Sequence, residues 1–327
     1  MALAEPLTIG IDLGGTKMQA GLVDARNRVL GECRRKTRGE EGLKSVVDRL
    51  VETARRACEE AGVEFSRVAA VGVGAPSAID HERGIVIKAV NLGWTDVPFR
   101  DMLRKAFGRP VSLDNDVNVA AWGESRLGCA QGIKDVIAAW VGTGIGGGLI
   151  LGGELHRGHF FTAGEIGQTV IAPSAPPGQR TVEEVCSKTG IVHMLRGLLA
   201  ASDDSTLAEM LRQGPKVSIG SSAIAAEFEA GHPVVTSVIE HAADRLGLVL
   251  ANIATVLSPE AVVLGGGLTE SLGKPWIARV RGSFDRWVFP DTLRAVRILP
   301  SRLGDHAGML GAALQARELV RKPNKPK

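Results

Sequence analysis

Ile9-Gly10-Ile11-Asp12-Leu13-Gly14-Gly15-Thr16-Lys17 is an apolar run that breaks into two glycines behind one carboxylate. The β-branched stretch Leu7–Leu13 predicts a strand and Lys17–Val23 a second strand returning beside it. Gly14 and Gly15 make the turn between them, because glycine takes positive φ without a steric penalty. A third strand is expected over 29–37, after a polar turn at 24–27. Val46, Val47, Leu50, Ala54, Ala57 and Cys58 then recur at three- and four-residue steps. That spacing predicts an amphipathic helix closed by Gly62, with Cys58 a small core residue. Strands expected at 68–73 and 110–113 end in Gly74-Ala75-Pro76-Ser77 and Asp114-Asn115-Asp116.

The pattern then starts again. A strand over 135–141, a glycine turn over 142–148 and a returning strand over 149–155 repeat the opening hairpin. A long helix at 233–257 follows, then a strand at 261–264 running into Gly265-Gly266-Gly267. Helices at 276–288 and 307–320 flank a strand at 295–299. Two halves that open alike amount to a weak internal duplication, and strands alternating with helices predict mixed α/β domains.

Composition narrows the class without naming a chemistry. The chain has 327 residues, room for two domains at roughly 150 residues each. Lys+Arg 39 against Asp+Glu 36 leaves a net +3, too close to balance for a nucleic-acid or membrane-surface protein. The hydrophobic content of 44% is that of a globular protein with an ample core. Four scattered cysteines without a Cys-x-x-Cys pair argue against a disulfide framework and fit a reducing, cytoplasmic compartment. The first residues show no signal-peptide pattern, and no apolar run reaches the ~20 residues of a membrane span. The basic, proline-broken tail 321–327 is expected to be a solvated end.

The clustered glycines carry the functional signal. Gly142-x-Gly144-x-x-Gly147 satisfies the dinucleotide fingerprint on paper, with Glu165 near the acidic position. A strand rather than a helix is expected after it, so the pyrophosphate would meet no helix start, and a nicotinamide cofactor is rejected. A glycine hairpin can still cradle phosphate through backbone N–H groups exposed in the turn. Two such hairpins, with Thr16 and Thr143 adding hydroxyls, suit the β- and γ-phosphates of a nucleotide. Asp12 beside those phosphates is tolerable with a cation between, which implies Mg²⁺ held directly or through water.

At this point the chain resembles the ROK family (repressor, open reading frame, kinase), bacterial sugar kinases and related repressors. The resemblance rests on Ile9 to Lys17, Gly72-Val73-Gly74-Ala75-Pro76, Asn91-Leu92-Gly93-Trp94, Asn115-Asp116 and the glycines from Gly142 to Gly148. Gly164-Glu165-Ile166-Gly167, Gly265-Gly266-Gly267 and Leu303-Gly304-Asp305-His306-Ala307-Gly308 follow in order. It implies the actin-like ATPase (ribonuclease H-like) fold, an α/β architecture of two lobes around a central cleft. The expected small lobe is 1–117 plus about 306–327, the large lobe 118–305, with hinges near 116–122 and 300–306.

The same resemblance implies residue roles. Asp116 would be the base that takes the proton of the attacking sugar hydroxyl, with Asn115 on a neighbouring hydroxyl. Taken alone the three residues read as a turn or a cap before a helix over 117–127, while strand alternation would put Asp116 on one face with Asp114, which is given no functional role. Gly74, Ser77, Asn91, Glu165, Gln168 and Glu183 would complete the sugar site, Ser77 replacing a more usual glycine. Asp12, Gly14, Gly15, Thr16, Lys17, Gly142, Thr143 and Gly144 would hold the phosphates of ATP, and Gly265, Gly266 and Gly267 would lie under adenine and ribose.

One departure is plain. Many family members carry a histidine three residues after the glutamate at 165, then a cysteine run, and together these bind a structural zinc. Here the histidine position is Gln168, and 173–180 contains no cysteine. Cys186 alone cannot close a four-ligand site, so no zinc is expected. Glu183, four residues before Ser187, matches the family's acidic position better than Glu184 does.

The expected activity is ATP- and Mg²⁺-dependent phosphorylation of a hexose at its 6-hydroxyl, glucose first, by a homodimer or homotetramer. Fructose, mannose, an N-acetylhexosamine or a polyphosphate donor remain open within the enzyme class. A repressor would need a DNA-binding domain ahead of Ile9, and a silent sugar-binding regulator would not need Asp12, Asn115, Asp116, Glu165 and both glycine turns together.

Overall fold

A computed structural model describes residues 6–76, 78–199, 203–214 and 217–321. Ser77 and most of the 321–327 tail therefore lie outside the described residues. The chain opens as β1 (Leu7–Leu13), β2 (Lys17–Val23), β3 (Val29–Lys36), α1 (Leu43–Glu60) and β4 (Val68–Ala75). A small three-stranded sheet follows, from β5 (Ala78–Asp80), β6 (Ile85–Ala89) and β7 (Trp94–Val97). Next come α2 (Phe99–Phe107), β8 (Val111–Asn115), α3 (Asp116–Leu127), β9 (Val136–Val141), β10 (Ile145–Leu151) and β11 (Glu154–His156). The helices α4 (Val182–Cys186), α5 (Lys188–Leu198), α6 (Thr206–Arg212), α7 (Ser221–Glu229) and α8 (Pro233–Leu257) precede β12 (Ala261–Gly265). The chain ends through α9 (Gly267–Trp287), β13 (Arg297–Pro300) and α10 (Ala307–Arg321).

Two compact units share these elements. One takes the chain up to Gly132, then Leu155–Ala163 and everything from Asp305, and the other takes Ile133–Glu154 and Gly164–Gly304. The first holds the sheet β3-β2-β1-β4-β8, and the second holds β10-β9-β12-β13 of the sheet β11-β10-β9-β12-β13, whose edge strand β11 starts at the boundary residue Glu154. Counted within each sheet the spatial order is the same: an antiparallel three-strand meander, then two strands parallel to its first. The internal duplication read from the two hairpins is therefore a duplication of sheet topology, with β5 to β7 and α2 inserted in the first copy.

The first unit's core explains several of its glycines. α10 packs directly on β1 and β4, and a Cβ on Gly10 or Gly72 would collide with the carbonyl oxygens of Met309 or Ala312. Gly311 meets α3 in the same way, at the Val119 carbonyl. Bare backbone at these contacts lets a helix sit closer to a sheet than side chains normally permit. On the opposite face of the sheet Ile9, Ile11, Leu22, Leu50 and Phe99 are fully buried in one core cluster, and Cys58 joins that core as expected.

Three elements differ from their sequence reading. β10 begins at Ile145, so Gly146, Gly147 and Gly148 are strand residues and the turn is only Gly142-Thr143-Gly144. A Cβ on Gly147 would strike the Gly164 carbonyl, so close backbone packing, rather than turn geometry, selects glycine there. α9 begins at Gly267, nine residues before the expected start, and bends at Gly273, where φ is 61° and breaks the periodicity. The strand expected at 295–299 runs Arg297–Pro300, after a short 3₁₀ turn over Asp291–Ala295. No helix among the described residues is long and apolar enough to cross a membrane.

Candidate active site

In the first unit β1, β4 and β8 run parallel, and their register sets Asp12 beside Gly74 and Gly74 beside Asp114. Their C-terminal ends thus release three loops along one edge of the sheet, where ligands of open α/β sheets gather. Asp12 comes from β1, Gly74 from β4, Asn115 and Asp116 from the β8–α3 junction. Gly74 has no room for a side chain, because a Cβ would lie 3.2 Å from the Asp116 Cα and closer still to Val119. Asn91, exposed on the 3₁₀ turn Val90–Leu92, comes against Gly15: a Cβ there would lie 3.3 Å from the Asn91 Cβ.

Asp116 is the first residue of α3, not the last of the strand, so the alternation argument that paired it with Asp114 fails. Asn115 caps the helix, its Oδ1 accepting the N–H groups of Val117 at 2.8 Å and Asn118 at 3.0 Å. Asp114 is buried at 1% exposure and has a structural task. Its Oδ2 accepts Arg157 at 2.6 and 2.9 Å and Gln315 at 2.9 Å. The half-buried Asp116 keeps its proton more tightly than usual, at a pKa of about 6, because desolvation outweighs hydrogen bonds from the Val117 amide and the Asn115 side chain.

Asp12 is raised further, to about 7, by desolvation and then by the negative charges of Asp116 and Asp305. α10 begins against this carboxylate, where a Cβ on Gly308 would lie 2.9 Å from the Asp12 carboxyl. Asp305, from the closing motif, adds a third negative charge here and is held by Arg34 at 2.9 Å. Carboxylates that repel one another beside a turn are hard oxygen donors of the kind Mg²⁺ takes. Among the described residues no three His, Cys, Asp or Glu side chains gather tightly enough to grip a metal ion directly.

Both glycine turns are pinned by a threonine that the sequence did not single out. In the first unit Thr37 Oγ1 donates to the Gly14 carbonyl at 2.7 Å, and its amide to the Thr16 carbonyl at 2.8 Å. In the second unit Thr189 Oγ1 donates to the Thr143 carbonyl at 2.7 Å, while the Lys188 amide bonds the Gly142 carbonyl at 2.9 Å. A trans peptide points its N–H opposite its C=O. The amides of Gly15, Thr143 and Gly144 therefore face away from these anchors.

The second unit assembles its other expected site residues around the same turn. Gly164, at φ 97°, lets the 164–167 backbone lie on β10, and this places the exposed Glu165 just before, and the exposed Gln168 at the end of, the 3₁₀ turn Ile166–Gln168. Glu183 takes the Ile145 amide on Oε2 at 2.8 Å and the Gln168 side chain on Oε1 at 3.3 Å. Glu184, the less favoured match, is the N3 residue of a capping box with Thr181, and it also accepts the Arg180 amide at 2.7 Å. With Arg180 Nε on the Ala175 carbonyl, these bonds order the cysteine-free loop. Cys186 is fully buried and its thiol is pushed up by that burial. Gly265 lies on the Trp140 ring and Gly266, at φ 90°, on the Val141 carbonyl, so the triplet leads β12 into α9 beside the second glycine turn.

The ROK family model matches residues 8–318. The chain belongs to the ROK family. It is 32% identical over 318 residues to a glucokinase of Streptomyces coelicolor, covering 95% of this chain and 98% of that protein. A ROK family glucokinase from Streptomyces griseus, crystallised with glucose and AMPPNP, superposes with a TM-score of 0.83. It is 34% identical, over 95% of this chain and 99% of that one. A ROK hexokinase from Thermus thermophilus is 34% identical with a TM-score of 0.76, over 96% and 99%. This ROK chain accordingly has the actin-like ATPase fold, and each of its two sheets is one copy of the repeated topology.

Proposed function

We propose that this chain transfers the γ-phosphoryl group of ATP to the 6-hydroxyl of a hexose, with glucose as the leading substrate. The observation that carries the reading is Asp116, a carboxylate of raised proton affinity opening α3 beside Asp12. It sits in a chain that aligns from end to end with glucokinases, one of them holding glucose and an ATP analogue.

Phosphoryl transfer asks for an oriented nucleophile, a base and neutralised phosphate charge. Asp116 takes the proton of the 6-hydroxyl as that oxygen bonds to the γ-phosphorus, and the bond to the β–γ bridging oxygen breaks to release ADP. Asn115, Asn91, Gly74 and Ser77 are assigned to the sugar, as are Glu165, Gln168 and Glu183, whose amide and carboxylate oxygens suit its hydroxyls. The outward amides of Gly15, Thr143 and Gly144, with Thr16 and Lys17, bind phosphate oxygens. Gly142 closes the second turn, and Gly265, Gly266 and Gly267, the last with open space where a Cβ would stand, are assigned to the nucleoside. Asp12, with water, would hold Mg²⁺, whose charge offsets that of the phosphates. Zinc has no part in this reading. A cytoplasmic homodimer or homotetramer is the setting it implies.

A coupled assay with ATP, Mg²⁺ and a panel of hexoses tests it. Turnover is expected with glucose, and kcat/KM should fall as pH drops through about 6, because the base works only when deprotonated. No phosphorylation of any hexose by folded protein would overturn the proposal.

A further inference from the structure

We infer that Thr37 and Thr189 are paired positioning residues that aim the two glycine turns at the nucleotide's phosphates, an inference that rests on the function proposed above. The same device occurs twice, once in each unit and on unrelated local structure. Thr37 follows β3 and is fully buried, whereas Thr189 is exposed near the start of α5. In each case a hydroxyl reaches a turn carbonyl at 2.7 Å: Gly14 in one unit, Thr143 in the other. In each case the threonine's own amide bonds the turn as well, to Thr16 at 2.8 Å and to Thr143 at 3.3 Å.

Glycine-rich turns have the backbone freedom to rotate their peptides, and an anion nest works only while its N–H groups converge. A hydroxyl fixed on a carbonyl removes that freedom, because rotating the peptide outward breaks the bond. Neither threonine lies in the stretches that bind ligand in the proposed site. Each acts through the turn it holds, so its effect belongs to phosphate binding and not to the sugar.

The experiment compares Thr37→Val, Thr37→Ser, Thr189→Val and Thr189→Ser with the wild type. Affinity for a non-hydrolysable ATP analogue is measured by calorimetry, and KM is measured for ATP and for glucose. Valine keeps the shape and amide and removes the hydroxyl, leaving a turn carbonyl short of a partner. Nucleotide affinity should fall about tenfold in each valine variant, the size expected for one lost hydrogen bond at a fixed anion site. The KM for glucose should stay within about twofold, and serine should restore most of the affinity.

Nucleotide affinity unchanged in folded valine variants would overturn the inference, as would an equal rise in both KM values that serine does not rescue. Thr189 is exposed, so Thr189→Val carries the test if Thr37→Val does not fold. If the wild type binds the analogue yet phosphorylates no hexose, the proposed activity fails, while the affinity series still decides the role of the threonines.

Discussion

Asp12 and Asp116 show how one edge of a sheet can hold two carboxyls above their ordinary proton affinity. Desolvation leads in both, and Asp12 also feels Asp116 and Asp305. A carboxyl raised in the folded state is most compatible with folding while protonated. The penalty is absent below the unfolded value near 3.8, grows as pH rises, and is complete above about 7 for Asp12. Asp12→Asn removes that charge. Thermal melts without Mg²⁺ should give the variant a higher midpoint than the wild type at pH 8 and a small difference near pH 4. A lower midpoint at pH 8 would contradict the repulsion described here. Its phosphoryl-transfer rate should fall at least about tenfold, since the residue that would hold the cation is lost. Asp114 obeys a different logic: a buried carboxylate matched by Arg157 is costly to strip of its partner. Arg157→Ala should lower stability by about 3 kcal/mol in urea unfolding, and a change under about 1 kcal/mol would mean Gln315 and Asn118 suffice.

At the scale of elements, the contact between α10 and its neighbours is set by missing side chains. Gly311→Ala would push a methyl into the Val119 carbonyl and separate α10 from α3, at about 1–3 kcal/mol. An unchanged unfolding midpoint would show that the helices slide apart freely. Such contacts were not legible in the sequence, where Gly10, Gly72 and Gly311 look like any other glycine. The strands Leu7–Leu13 and Lys17–Val23 were legible to the residue, because β-branched alternation and a glycine pair mark both strand and turn. The start of β10 was not, since a glycine run reads as turn unless the backbone packed on it is known. The run Asp114-Asn115-Asp116 was legible only as a choice between a strand end and a cap before a helix over 117–127. A strand end and a helix N-cap share the residue types Asp and Asn, and only the bonds from Val117 and Asn118 to Asn115 decide between them. Thr37 and Thr189 gave no signal at all, because what they touch is 23 and 46 residues away.

For the whole molecule, the repeated sheet order is the feature that sequence pattern and structure share most fully. A hairpin closed by a glycine turn stands at the same place in each copy, and this is why the two stretches around Gly14 and Gly142 read alike despite different residues. The candidate catalytic chemistry is not duplicated. Asp12 has no counterpart at the matching place in β9, where the register continues through Trp140 and Val141, and Asp116 opens a helix in the first copy alone. The central claim is that Asp116 takes the proton of the attacking sugar hydroxyl. Its most direct test is kcat for glucose phosphorylation in Asp116→Asn beside the glucose dissociation constant of the same variant. The account predicts a fall in kcat of about 10³-fold or more with glucose affinity little changed. Turnover retained within a few-fold of the wild type would contradict it.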